Sequence, residues 1–150
     1  MKQIALSIFL FCNIILMQSC DLKKIAAGSY AHAERYYFDC SSDSVVGTVS
    51  RLKATGLYTH KESPPDHVHS SNKDRFSYYF YFREKHFIVH LVIEKLNDET
   101  TEIAVVGLKD AVHGSDWLVI NKDVPASNQA QALQLFDSVV KSRMHCSTSK

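Results

Sequence analysis

The chain has 150 residues and a mass of 17.0 kDa, room for one ordinary domain with a single core rather than two. At 45% hydrophobic, 22% charged and 11% aromatic residues it does not read as disordered, collagen-like or a multi-span membrane protein. The formal charge of +1 falls to zero once residues 1–19, which carry Lys2 and no acid, are set aside, so no nucleic-acid partner is expected.

Lys2 gives a positive start, and residues 4–17 form an apolar run broken by Ser7 and Asn13. This is a signal-peptide pattern, and the run is short of the roughly 20 residues that span a bilayer as a helix. It ends in Leu16-Met17-Gln18-Ser19-Cys20, which resembles the lipobox of bacterial lipoproteins, with Met17 and Gln18 departing from the usual residues and Ser19 matching. The resemblance implies that residues 1–19 are removed and that Cys20 becomes the lipidated first residue. The membrane would then be a partner through that lipid, and residues 20–35 a tether. The alternative is ordinary secretion with a cut near Ala26-Ala27. Asp21 resembles the inner-membrane retention signal of enterobacterial lipoproteins, a rule that other bacterial groups do not use.

Of four cysteines, Cys12 lies in the apolar run and Cys20 would carry lipid, which leaves Cys40 and Cys146. In an oxidising envelope compartment these two are expected to pair, closing a loop worth up to about 4.7 kcal/mol in chain entropy. The alternative is two separate buried thiols.

Tyr36-Tyr37-Phe38 opens the expected domain, residues 36–150, with a strand. Ser41-Ser42-Asp43-Ser44 offers N-caps to a helix carrying Val45, Val46, Val49 and Leu52 at helical spacing, stopped by Gly56. Residues 57–75, with Pro64-Pro65, read as a long surface loop. Residues 76–82 then alternate, with Phe76, Tyr78, Phe80 and Phe82 on one side and Ser77, Tyr79 and Tyr81 on the other. Residues 87–94, 101–108 and 117–120 read as three further strands. Pro125 and Ser127 open a last helix striped by Ala132, Leu133, Phe136, Val139 and Val140.

The order strand, helix, four-stranded meander, helix predicts an α+β two-layer sandwich, a four- to five-stranded, mainly antiparallel sheet with two helices on one face. Counting alternating directions along that order puts Cys40 and Cys146 at the same end. A further strand within residues 57–75 would upset the count.

Asp66-His67-Val68-His69, with His60 nearby, is the cluster of metal-ligand types in the sequence; alternating histidines in an extended segment share a side, and imidazole with carboxylate suits zinc or copper. A solvated histidine-rich loop is the plain alternative, and no metal or other cofactor is expected. There is no nucleophile elbow, glycine-rich phosphate loop or helical histidine pair flanking a glutamate, and catalytic residues are not expected. His86 and His90 read as partly exposed sheet positions. The consecutive aromatics make both sides of the 76–82 strand aromatic. Tyr79 and Tyr81, on the side away from the helices, are the candidate partner-binding residues. Their alternative is a second face covered by the long loop.

Together, the lipobox-like start, the tyrosine-rich strand and Trp117-Leu118-Val119-Ile120-Asn121-Lys122-Asp123 before a closing helix with Asn128 and Phe136 resemble a group of small bacterial lipoproteins. That resemblance implies an address in the cell envelope and no activity. The expected function is a non-catalytic binding module with a protein partner in the envelope, an immunity-type inhibitor of a periplasmic toxin being one form. The alternative is a small envelope enzyme or metal-binding protein using the His60, His67 and His69 loop.

Overall fold

The computed structural model describes residues 30–114 and 116–149. The expected signal peptide, Cys20 and most of the expected tether lie outside the described residues.

The elements are β1 (Glu34–Phe38), α1 (Ser42–Ala54), β2 (His67–His69), β3 (Asn72–Phe82), β4 (Phe87–Lys95), β5 (Thr101–Asp110), β6 (Leu118–Val119), α2 (Ala126–Val139) and β7 (Thr148–Ser149). They form an α+β two-layer sandwich. The sheet order is β2-β3-β4-β5-β1-β7, with β6 beside β5, and every pairing is antiparallel.

Alternation decides what the helices cover. Tyr78, Phe80 and Phe82 of β3, Val89, Leu91 and Ile93 of β4, and Ile103 and Val105 of β5 join Val45, Val49 and Leu52 of α1 and Ala132 and Phe136 of α2 in one core. Phe38, Phe80 and Phe136 are fully buried, each worth roughly 1.5–3 kcal/mol in transfer from water. α1 ends as its sequence implies, with Gly56 at φ +73 and its N–H donating to the Lys53 carbonyl, a left-handed turn that glycine makes without steric cost.

Three expectations need correction. β1 starts at Glu34, so residues 34 and 35 belong to the sheet and not to a tether. Residues 57–75 are not one loop: β2 lies within them, and β3 begins at Asn72, because a three-residue strand and a polar strand start carry no apolar period to betray them. β6 is two residues long and leaves Trp117 outside the strand.

β2 also changes the direction count. β1, β2, β4 and β6 run one way and β3, β5 and β7 the other, so the meander runs opposite to the expected sense. Cys40 and Cys146 still lie 6.0 Å apart at Cα, at disulfide distance. Two departures cancel here. β2 adds a reversal, and the connection from β6 to α2 omits one: Asn121 hydrogen-bonds Glu34 at the start of β1, Phe136 packs on Tyr36, and Cys146 meets Cys40 beyond its end. α2 therefore runs alongside β1 in the same sense.

Candidate functional site

The face of the sheet turned away from the helices carries Ser77, Tyr79 and Tyr81 from β3 and Ile88, His90 and Val92 from β4, with Tyr79 opposite His90 and Ser77 opposite both His67 and Val92. Tyr79 and Tyr81 do lie on this face, but they are 8% and 7% exposed and present no open surface. The Tyr79 ring stacks on His90 at 4.6 Å between centroids and also meets Trp117 at 5.6 Å and His67 at 6.4 Å. Tyr81 lies under His60 at 4.4 Å, and its hydroxyl is 3.3 Å from Nδ1 of His86. Two large aromatics left in water would expose apolar area at a cost, and the segment before β3 removes that cost by folding over them.

Asp66 holds that segment in place. The Tyr79 N–H donates to Asp66 Oδ1 at 2.9 Å, and Lys53 Nζ, 3.5 Å from the same oxygen, also donates to the Tyr79 carbonyl. Burial lowers the Lys53 pKa, and Asp66 works against that shift. A little further along β3, the Tyr81 N–H donates to the Tyr58 carbonyl. Beyond the end of β2, the outer edge of β3 is thus met by a carboxylate and a loop carbonyl instead of a strand. Asp66 is accordingly a structural tie and not a ligand beside His67.

His67 and His69 project to one side of β2, as alternation implies, with ring centroids 5.0 Å apart. His69 Nε2 lies 2.9 Å from the Ser77 hydroxyl, and the same hydroxyl lies 3.1 Å from His90 Nε2. Burial, then the nearby imidazoles of His67 and His69, push the His90 pKa down to about 4. Burial also lowers that of His69, aided by His67 and Arg75 and opposed by Glu94. The net effect at both His69 and His90 favours the neutral imidazole. Beside the cluster, Arg75 grips Glu94 through contacts of 2.7 and 2.9 Å, and Arg35 pairs with Glu102.

A serine between two histidines invites comparison with nucleophilic catalysis, but Ser77 is 1% exposed and its hydroxyl is engaged on both sides. Among the described residues no group of three or more His, Cys, Asp or Glu side chains could hold a metal ion. His60 is drawn off to Tyr81, so His60, Asp66, His67 and His69 do not come together.

Sequence reading missed His90, Ser77 and Trp117 as members of this cluster. Two of them were findable: alternation puts Ser77 with Tyr79, and pairing the two strands through the 83–86 turn puts His90 opposite Tyr79. Trp117 comes from a distant loop, and no local signal links it to β3.

Trp117 is placed by a close approach of backbones. A Cβ built on Gly107 would meet the Leu118 carbonyl oxygen at 2.9 Å and the Trp117 ring at 3.7 Å. Gly107→Ala is expected to cost about 1–3 kcal/mol and to push β6 outward. The chain has a single tryptophan, so its emission should shift to the red; an unchanged spectrum with unchanged stability would show that the contact yields freely.

No family model, curated protein or solved structure matches this chain.

Proposed function

We propose that this protein is a lipid-anchored, non-catalytic binding module of the bacterial cell envelope, with a protein partner, an immunity-type inhibitor of a periplasmic toxin being one form. The address rests on Lys2, the apolar run and Leu16 to Cys20, and the Cys40 and Cys146 pair at disulfide distance supports an oxidising compartment.

The observation that carries the binding reading is Trp117. It is 37% exposed while its inner side rests on Tyr79 and His90, a ring anchored from behind and open in front. Rings pre-positioned in this way lose little entropy on contact, and tryptophan is among the residues that dominate protein interfaces. The exposed His67, whose ring lies 6.4 Å from that of Tyr79, continues the patch, whereas Val68, 52% exposed, projects from the other side of β2 at the same edge. A cleft of about 220 Å³ lined by Asp66, His67, Val68, Phe76 and Tyr78 lies at the same edge, sized for a partner side chain rather than a cofactor. In this reading Tyr79 and Tyr81 support the patch instead of touching the partner. Catalysis has less support, since the Ser77 hydroxyl is buried and occupied.

The test has two parts. Mass spectrometry of the mature protein should find a lipid on Cys20, and an unmodified start elsewhere would overturn the anchor. With a partner in hand, Trp117→Ala and His67→Asp are each expected to weaken binding by about tenfold or more while the fold is kept. Tyr79→Ala should chiefly lower stability. Full affinity in both patch variants would overturn this assignment.

A further inference from the structure

We propose that the cleft between α1 and the 3-10 turn Lys141–Arg143, which follows α2, is a site for a phosphate monoester, held by the guanidinium groups of Arg51 and Arg143 with the imidazole of His145. It lies in the helix layer of the sandwich, across the sheet from the Trp117 patch, and does not rest on the partner reading.

Three observations carry it. The cleft holds about 270 Å³ and is lined by Thr48, Arg51, Leu52, Thr55, Arg143 and His145, with no carboxylate in the lining. Pockets that enclose a whole cofactor hold roughly 300–1,000 Å³, so this one suits a single charged group. Leu52 is buried while Arg51, Arg143 and His145 are exposed, which sets the basic groups around an apolar floor.

Next, Arg51 is aimed. It stands in the last turn of α1, where a cation ordinarily turns to the terminal carbonyls. Here the side chain folds back instead: Nη2 donates to the Thr48 hydroxyl at 2.9 Å, and a Cβ added at Gly47 would lie 3.6 Å from Nη1. The Thr48 hydroxyl itself donates to the Ser44 carbonyl at 3.0 Å, so its oxygen is held as an acceptor. One N–H of the guanidinium thus positions it, and the rest of the fork is left for a ligand.

Finally, the two charges are uncompensated. Among the described residues neither Arg51 nor Arg143 is in an ion pair. Asp43 lies in the first turn of α1, about two turns before Arg51, and Asp137 is 3.8 Å from Lys141. Two cations lining one cleft repel, and an anion between them turns repulsion into attraction. A phosphate monoester carries about −1.5 to −2 at neutral pH and three free oxygens, enough for a guanidinium fork from each side, whereas a diester carries a single charge. His145 offers a further ring N–H.

Methyl phosphate is titrated into the full chain in one arm; in the other, vesicles of phosphatidylcholine carrying phosphatidic acid are compared with phosphatidylcholine alone. The guanidinium Nε–H signals are the readout, and the two arms distinguish a free ester from a lipid headgroup. Saturable movement of the Arg51 and Arg143 signals is expected in at least one arm, and dimethyl phosphate should bind about fivefold or more weakly. Arg51→Gln and Arg143→Gln should each weaken binding about fivefold or more, and Arg83→Gln, in the β3–β4 turn, should leave it unchanged. No movement in either arm, up to on the order of 10 mM ester, would overturn the proposal. So would equal affinity for the diester, movement confined to other arginines, or wild-type affinity in both glutamine variants. Both arginines are exposed, so these variants keep the fold.

Discussion

Replacing Cys40 and Cys146 together by serine is expected to lower the unfolding free energy by about 2–5 kcal/mol. The two lie 106 residues apart in sequence, so their bond would close nearly the whole domain into one loop and remove much of the freedom of the unfolded chain. In the folded chain they sit where separate parts of the sandwich are tied: the Thr101 hydroxyl donates to the Cys40 carbonyl at 2.8 Å, and the Asp39 N–H donates to the Ser147 carbonyl at 3.0 Å. Next to them β7 pairs with Tyr37 and Phe38. Urea unfolding of the double variant, and of wild type with and without reductant, measures the effect. Identical midpoints in all three would show that the bond contributes nothing. Thiol labelling of the denatured, non-reduced protein should find neither cysteine free.

The second large effect is one of pH. Stability should fall as pH drops from about 6.5 to 4, by about 3 kcal/mol if His90 alone is counted. The folded pKa of His90, about 4, lies below its unfolded value of about 6.5, so between these values the unfolded chain binds more protons. Its contribution is full above 6.5 and is lost as pH falls through 4. His69 is shifted in the same direction and adds to the slope. Glu102 acts in opposition: burial raises its pKa, so protonation relieves a cost and stability is regained as pH falls through its folded value. Asp110 contributes its loss lower still, between 3.8 and about 2. Melting followed against pH for wild type and His90→Gln should give the variant the shallower slope; equal slopes would remove His90 as the cause.

Much of the sandwich could be read from alternation and helical spacing because those patterns report burial directly. Tyr78, Phe80 and Phe82, and Val45, Val49 and Leu52, face the core the sequence implies. The limits have physical causes too. His67–His69 is too short to show a period, and Asn72 to Arg75 are polar because that part of β3 lies beside β2, away from the main core. Alternation assigns Tyr79 and Tyr81 to the second face but cannot tell what lies over it. The cover comes from His60, His67 and Trp117, held by contacts between distant segments such as Asp66 with the Tyr79 N–H and Leu118 against Gly107. Cys40 and Cys146 lie at disulfide distance through two compensating errors in the direction count, so that agreement lent the expected topology no support.

The two ends of the sheet have a consequence for crowding. One rim is β2, three residues with a register shift between Val68 and His69, and the other is β7, two residues long. Between β2 and the next turn, the exposed flank of β3 is already occupied by Asp66 and Tyr58. Along the β2 and β3 rim a strand from a neighbouring molecule therefore finds only a few backbone groups to register against. Copies of this domain brought together at high local concentration would meet along this rim without joining their sheets.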